Sequence, residues 1–181
     1  MSDGDFKIAG RTELLRAHVF GVADYEVHGP EGTFHRAVAE HPGAVFVVAV
    51  NNDGHFGMIR QWRTARDGWQ WELAAGTRDI DGEPEIETAR RELREELGAT
   101  AGEWAELTWL YTSPGWTNQV NRVFVATELQ IDSREVSGPE ETYSTVGWLT
   151  PHEVRELILG GGLDAVSAAA LLLAMSGEFG E

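Results

Sequence analysis

An unbroken apolar run over residues 44–50, AVFVVAV, constrains the fold of this chain more than any other segment. Such a run suits a β-strand that is buried on both faces, which requires a layer of structure on each side of the sheet. The four residues that follow, Asn51-Asn52-Asp53-Gly54, are typical of a tight hairpin turn, so residues 55–62 are predicted to return as a second strand. The sequence therefore favours a layered α/β architecture.

The segments on either side of this hairpin contain further predicted elements. Residues 16–27 alternate loosely and are followed by a turn cluster at 28–32 and a further candidate strand at 33–38, which indicates a small N-terminal β appendage. Beyond the hairpin, residues 76–82 are predicted to form a loop, and strands are predicted at 69–73, 107–111, 121–129 and 146–149. Helices are predicted at residues 84–97, 151–159 and 164–174. This order of elements predicts a mixed sheet.

Composition excludes several classes of function. The 181 residues include 14 Lys and Arg against 30 Asp and Glu, and the resulting net charge of −16 argues against binding to nucleic acid or to anionic membranes. The lack of cysteine excludes disulfides and thiolate catalysis. The N-terminus does not resemble a secretory signal, and the longest apolar stretch, residues 165–175, is too short to cross a bilayer. We therefore expect a soluble, cytoplasmic protein.

The predicted helix at residues 84–97 carries more carboxylates than its fold requires. Its apolar stripe consists of Ile86, Ala89, Leu93 and Leu97. Glu92 and Glu96 are four residues apart, so they lie one above the other at the edge of this stripe, with Glu95 closer to solvent. Their mutual repulsion and the negative end of the helix dipole both disfavour this cluster. A bound hard cation such as Mg²⁺ would reverse both effects.

A solvated charged face is the alternative interpretation of this helix. Pro84 suits the first helical position, and Gly98 is a natural stop. Arg91 stands four residues after Glu87 and four before Glu95, so we expect these three side chains to form ordinary ion pairs.

The segment from Gly76 to Gly98 resembles the Nudix box, G-x5-E-x7-R-E-U-x-E-E-x-G-U, where U is aliphatic. The matching residues are Gly76, Glu83, Arg91, Glu92, Leu93, Glu95, Glu96 and Gly98. Two positions depart from the pattern, because six residues separate Gly76 from Glu83 and because Ala99 is a weak match to the last aliphatic position. A longer loop before the helix need not move the carboxylates.

Similarity outside the box is to the ADP-ribose pyrophosphatases of the Nudix family. It lies in residues 59–63 and 71–76, in Pro114, which stands 16 residues after Gly98, and in the N-terminal appendage. The resemblance implies a Nudix-like α/β/α sandwich with a mixed sheet, divided into an appendage at residues 1–42 and a hydrolase domain at 43–181. It also implies that the appendage helps to form a homodimer.

The resemblance further implies a metal site and a catalytic base. Glu92 and Glu96 would bind Mg²⁺, or Mn²⁺ in its place, with Glu95 as a further ligand or close neighbour and with the carbonyl oxygen of Ala75 as another ligand. Glu83 and Arg91 would hold the loop against the helix. The general base would be Glu140 or Glu141, for which an exposed acidic turn is the alternative interpretation.

Candidate substrate contacts come from the same comparison and from side-chain chemistry. The guanidinium of Arg63 suits phosphate oxygens, with a surface arginine as the alternative. Trp62 is a candidate for stacking on a base, as are Trp116, Phe20 and Tyr25, although core or interface positions are the alternative for each tryptophan. The other candidate contacts are Gly76, Thr77, Pro114, Gly115 and Gln119. Gln119 stands where related enzymes often carry Glu, which leaves its contact and the exact substrate open.

The resemblance implies hydrolysis of a nucleoside diphosphate linked to another group. ADP-ribose would give AMP and ribose 5-phosphate; another sugar nucleotide or a dinucleotide is an alternative substrate. A Nudix module that senses a nucleotide without catalysis is the alternative from a different class. Retention of all three late carboxylates of the box favours the enzyme, because a protein that only binds a nucleotide has no need of them.

Overall fold

The computed structural model describes residues 6–134 and 142–177. The chain divides into two compact units. The N-terminal unit comprises Met1–Gly43 and Tyr111–Val120, and the central unit comprises Ala44–Leu110 and Asn121–Glu181. The predicted domain boundary between residues 42 and 43 stays a prediction.

The N-terminal unit contains a three-stranded antiparallel sheet. Its strands are β1 (Lys7–Arg16), β2 (Gly21–Gly29) and β3 (Gly32–Glu40), in the order β1-β2-β3. Gly29 pairs with Gly32 at the β2–β3 hairpin, where the φ angle of Gly32 is 131° and therefore favours glycine. The sequence did not predict β1, because residues 7–15 show no regular apolar alternation.

Within the described residues, the central unit contains a mixed sheet and three α-helices of nine or more residues. The strands are β4 (Ala44–Val50), β5 (Phe56–Arg63), β6 (Gly68–Glu72), β7 (Ala74–Thr77), β8 (Ala99–Tyr111), β9 (Val120–Ile131) and β10 (Thr145–Leu149). The helices are α1 (Glu85–Leu97), α2 (Pro151–Leu159) and α3 (Ala165–Ser176). The sheet order is β10-β5-β4-β9-β8, with β6 added to β5 and β7 added to β4. β4 pairs in parallel with β9, whereas β5 is antiparallel to its neighbours.

Helices cover both faces of the central sheet. Odd-numbered residues of β4, such as Val47, pack with Leu93 and Leu97 of α1. The intervening Val48 packs with Val154 of α2 and Leu171 of α3. Because successive side chains of a strand point to opposite faces, the buried β4 forms the middle layer. The predicted α/β/α sandwich with a mixed sheet and additional N-terminal strands is confirmed.

Several element boundaries differ from the prediction. Residues 76 and 77, which were predicted to begin a loop, belong to β7, because residues 74–77 complete the antiparallel pairing along β4. β8 begins directly after Gly98, eight residues earlier than predicted, although its first residues are not strongly apolar. Pro84 is the N-cap of α1 and not its first helical residue. The capping box between Thr150 and Glu153 is present at the start of α2.

No helix among the described residues combines the length and the apolar character that are needed to cross a membrane.

Candidate active site

Helix α1 brings two carboxylates into the interior of the central unit. Leu93 and Leu97 bury its apolar stripe, and Glu92 and Glu96 beside them are only 8% and 5% exposed. Gly98 ends the helix with a φ angle of 63°, and a Cβ atom there would lie 2.6 Å from the carbonyl oxygen of Asp132. The end of the helix is therefore fixed against the chain that follows β9, and the two buried carboxylates are fixed with it.

Glu92 and Glu96 both lie against the backbone of β7. The backbone N–H of Ala75 donates a hydrogen bond of 2.8 Å to Oε2 of Glu96. At Gly76, a Cβ atom would lie 1.9 Å from Oε1 of Glu92, so only glycine leaves room for this carboxylate. The structure thus brings together Ala75, Gly76, Glu92 and Glu96, and the roles predicted for them stay predictions.

Arg91 joins the acids of the helix to the preceding loop. Its Nη1 donates to Oε1 of Glu92 at 2.7 Å and to Oε2 of Glu95 at 3.4 Å, and its Nη2 lies 3.6 Å from Oε2 of Glu83. Glu83 also accepts a hydrogen bond of 2.7 Å from Thr88 Oγ1. Burial disfavours the charged guanidinium, but the attraction of the surrounding carboxylates outweighs it and raises the pKa of Arg91 above its ordinary value.

The ion pairs on the solvent side of α1 differ in part from the prediction. Glu95 does pair with Arg91. Glu87, which was predicted to pair with Arg91, instead accepts a hydrogen bond of 2.6 Å from Nη1 of Arg90. The reason is that Arg91 is turned toward Glu92 and Glu83 at the edge of the buried stripe. Arg91 therefore pairs with Glu83, Glu92 and Glu95, and not with Glu87 on the outer face of the helix.

A second polar group, which the sequence did not predict, surrounds Arg63 at the end of β5. Nε of Arg63 donates to both carboxylate oxygens of Glu72, at 2.8 and 3.1 Å, and Nη2 donates to Oε2 at 2.5 Å. Glu72 also accepts hydrogen bonds of 3.2 Å from the side chains of Gln61 and Gln70. Glu72 and Gln61 are 6% and 3% exposed. The pairing of β5 with β6 brings these residues together, and sequence spacing gave no indication of it.

Trp62 and Arg63 point to opposite faces of the sheet. Ile59, an even number of residues before Arg63, packs with α1, whereas Met58 packs with α2 and α3. Arg63 therefore lies on the α1 face and Trp62 on the other face. There, Trp62 makes an edge-to-face contact with Trp69, with ring centroids 6.1 Å apart. The structure does not bring these two predicted substrate contacts together on one face.

The other candidates lie in several places. Thr77 ends β7 opposite Ala44. Pro114, Gly115 and Gln119 belong to the N-terminal unit. The backbone N–H of Gln119 donates a hydrogen bond of 3.2 Å to Oγ1 of Thr117, and its carbonyl oxygen accepts one of 3.2 Å from the backbone N–H of Thr112. Phe20, Tyr25 and Trp116 belong to the same unit. The predicted bases Glu140 and Glu141 lie outside the described residues.

The oxygen atoms of Glu92, Glu96 and the Ala75 backbone, here called the α1 cluster, suit a hard cation. In residues 6–134 and 142–177, no three side chains of His, Asp or Glu are grouped so that they could hold a metal ion by themselves. The cluster nevertheless places two carboxylates beside a strand backbone, and Gly76 leaves the space that Glu92 occupies. Mg²⁺ is typically bound by about one or two carboxylates of the protein and keeps waters and substrate oxygens in its other coordination positions. The residues present therefore fit such an ion.

Several known proteins are similar to this chain over most of its length. Residues 40–168 match the model of the NUDIX domain. An ADP-ribose pyrophosphatase of Mycobacterium tuberculosis (strain ATCC 25618 / H37Rv) is 36% identical over 176 residues, which are 97% of this chain and 85% of that protein. An ADP-ribose pyrophosphatase of Bacillus subtilis (strain 168) is 32% identical over 153 residues, which are 84% and 82% of the two chains.

A crystal structure of an ADP compounds hydrolase has the same fold, with a TM-score of 0.79 at 23% sequence identity and with coverage of 95% of this chain and 93% of the other. The chain thus combines the residues of the box with a match to the family model, relatives that are similar over most of its length and a matching fold. On these grounds the chain belongs to the Nudix family of hydrolases.

Proposed function

We propose that this protein hydrolyses the diphosphate of ADP-ribose in the presence of Mg²⁺ and releases AMP and ribose 5-phosphate. The observation that carries the proposal is the pair of buried carboxylates, Glu92 and Glu96, held against the backbone of Ala75 and Gly76. The ADP-ribose pyrophosphatases of M. tuberculosis and B. subtilis, both more than 30% identical to this chain, support the choice of substrate.

A diphosphate is slow to hydrolyse because its negatively charged oxygens repel a nucleophile. Members of the Nudix family generally use a divalent metal ion. We assign Glu92, Glu96 and the carbonyl oxygen of Ala75 to hold Mg²⁺, with Glu95 as a further ligand or close neighbour. When bound there, the ion supplies charge withdrawal from the phosphate oxygens and activation of water. Mn²⁺ has the same preference for oxygen donors and is expected to substitute.

The remaining side chains bind the substrate and move the proton. Arg91 fixes Glu92 and Glu95 in orientation through its two Nη1 contacts. Glu140 or Glu141 accepts the proton of the attacking water, which adds to one phosphorus while the bridging oxygen leaves. Arg63 donates hydrogen bonds to a diphosphate oxygen. The further proposed contacts of the substrate are Trp62, Gly76, Thr77, Pro114, Gly115 and Gln119.

Cations are indispensable for this substrate because the protein itself is strongly acidic. Its formal net charge is −16, and ADP-ribose is an anion. Without bound metal, the approach of the diphosphate to Glu92 and Glu96 would be repulsive. We therefore expect the bound ion to offset this repulsion and to be needed for the substrate to bind.

Two alternatives remain within the proposal. Another sugar nucleotide or a dinucleotide would undergo the same chemistry at the same acids. A nucleotide-sensing module without catalysis is disfavoured, because burying two carboxylates has a large desolvation cost that a protein which only binds its ligand need not bear.

We also propose that the N-terminal sheet, as part of an appendage over residues 1–42, contributes to a homodimer of this cytoplasmic enzyme. The support is the number of large apolar side chains exposed near or on its first strand: Phe6, Ile8, Leu14, Leu15, Val19 and Phe20. Exposed apolar side chains in such number are typical of a surface that is covered by another chain.

A substrate panel tests the function. ADP-ribose, other sugar nucleotides, NADH and nucleoside triphosphates are each incubated with Mg²⁺, with Mn²⁺ and with EDTA, and products are separated by chromatography. We expect ADP-ribose to have the highest kcat/KM, with AMP and ribose 5-phosphate as products, and no turnover in EDTA. Metal-independent turnover, or binding of nucleotide without any turnover, would overturn the proposal.

A further inference from the structure

The group around Arg63 contains a buried negative charge that the proposed mechanism does not use. Glu72 is 6% exposed and has hydrogen-bond donors on both carboxylate oxygens, from Arg63, Gln61 and Gln70. A carboxylate next to a site for an anionic diphosphate repels the substrate. Its presence there is therefore disadvantageous unless it acts through another residue.

The geometry identifies that residue as Arg63. Glu72 accepts hydrogen bonds of 2.5 to 3.1 Å from Nε and Nη2, which lie along one edge of the Arg63 guanidinium. Two parallel donors on one carboxylate fix the plane of the guanidinium as well as its position. The direction of Nη1 is then set too. An arginine of this exposure, with 41% of its side chain accessible, would otherwise sample many rotamers.

The position of Glu72 in the fold connects this group to the proposed metal site. Glu72 is the last residue of β6, three residues before Ala75, whose N–H holds Glu96. Gln61 and Arg63 share the sheet face of Ile59, which packs against α1. Arg63 therefore reaches the same face as the acidic helix, and the chain that carries Glu72 leads directly into the strand that supports the acids.

We infer that Glu72 is a positioning residue that holds the Arg63 guanidinium in the one orientation in which it stabilises the diphosphate during the reaction. The inference rests on the proposed function, since it assigns to Arg63 a contact with the substrate. The Arg63–Glu72 pair is formally neutral, so its contribution is orientation and not net attraction. Loss of Glu72 is expected to lower kcat more than it raises KM.

A double-mutant cycle tests this inference. Glu72→Gln keeps the size of the side chain and one acceptor but removes the charge, and we expect it to lower kcat about tenfold while KM changes less than about threefold. Arg63→Ala should lower kcat/KM about a hundredfold. In the Arg63→Ala background, Glu72→Gln should cause no further loss, because its only route to the substrate has been removed.

Glu106→Gln is the matched control. Glu106 also pairs with an arginine, Arg122, at 2.7 Å, but it is exposed and has no part in the proposed site. The control removes the same charge from the same unit and should keep the activity of the parent protein. Should Glu72→Gln fail to fold, Glu72→Asp retains the charge, shortens the side chain and is carried through the same cycle.

A second readout does not depend on turnover. The arginine Nε–H resonances of the ¹⁵N-labelled protein report on side-chain order, and the Arg63 signal is identified by its loss in Arg63→Ala. We expect this signal to be sharp in the parent and in Glu106→Gln, and to be broadened by solvent exchange in Glu72→Gln. An unchanged signal would overturn the inference.

The kinetic outcomes separate the two proposals. Full activity of Glu72→Gln, or an equal loss with and without Arg63, overturns the inference and leaves the hydrolase function intact. Full activity of Arg63→Ala overturns the substrate contact of Arg63 and the inference with it. Absence of any turnover by the parent protein with Mg²⁺ overturns the proposed function, while the resonance of Arg63 still decides whether Glu72 orders it.

Discussion

The two units of the chain are stabilised in different ways. The N-terminal sheet has strands of nine or ten residues, yet Ala23 is the one residue of β1, β2 and β3 that is fully buried. Cross-strand polar contacts, such as the pairs of Glu40 with Arg11 and Tyr25, connect its strands. The central unit buries two apolar clusters on the faces of one sheet. The free energy gained by burying this apolar core can offset the cost of burying Glu92 and Glu96 in the central unit. The N-terminal sheet, which has no such core, depends on contacts at its surface.

The largest expected effect separates function from stability in the central unit. Glu96→Gln should lower Mg²⁺-dependent turnover of ADP-ribose by about a thousandfold, because it removes one of the two buried carboxylates proposed to hold the ion. Thermal unfolding without metal should change little, since glutamine can still accept the hydrogen bond from Ala75. Calorimetry and steady-state kinetics on the same preparation measure both quantities. Retention of full activity would show that the metal assignment is wrong.

The next effect compares the two units directly. Leu171→Ala removes a fully buried side chain from α3 and should lower the free energy of unfolding by about 3 kcal/mol, from lost burial and the cavity left behind. Leu14→Ala in β1, where the side chain is 59% exposed, should cost less than about 0.5 kcal/mol in a monomer. Chemical denaturation measures both.

The Leu14 variant also sharpens the proposal of a homodimer. If a second copy of the chain covers β1, Leu14→Ala should weaken dimerisation, which sedimentation at several concentrations would detect. An unfolding midpoint that does not depend on protein concentration in the parent, together with a monomer by sedimentation, would contradict the dimer.

A smaller effect is expected when a methyl group is added beneath Glu92. Gly76→Ala would place a Cβ atom 1.9 Å from Oε1 of Glu92, so the carboxylate must move, and activity should fall by about a hundredfold. Gly68→Ala is the control, because the nearest atom to its Cβ would be 4.0 Å away and no positive φ is required there. Equal activity of the two variants would show that the position of Glu92 is not critical.

The smallest effect tests the polar contacts of the N-terminal sheet. The hydrogen bond from Arg11, followed by that from Tyr25, lowers the pKa of Glu40 from 4.5 to about 2. A lowered pKa in the folded state stabilises the protein fully above pH 4.5, and this stabilisation disappears as the pH falls through 2. The difference in midpoint between the parent and Glu40→Gln should therefore be small and constant near neutral pH and should vanish in acid. A difference that grows in acid would contradict the assignment.

The parts of the molecule that could be predicted are those in which residue spacing along the chain determines which side chains lie together. The acids of α1 follow from helical periodicity and from the Nudix box, because Glu92 and Glu96 can only share one face. Glu72 could not be found in this way, since its partner Arg63 is set by the register of β5 with β6. β1 was missed because a strand without a core has no apolar alternation to detect. The proposed bases, Glu140 and Glu141, remain predictions.

The alternation of side chains along β5 limits how this protein can change. Deleting a single residue between Phe56 and Gln61 would turn the guanidinium of Arg63 toward α2 and α3 and carry the indole of Trp62 to the side of the acidic helix. Insertions and deletions should therefore be tolerated in the hairpin turn at residues 51–54 and selected against within the strand. In a library of random single-codon deletions, we expect active clones to carry deletions at residues 51–54 but not within the strand that begins at Phe56.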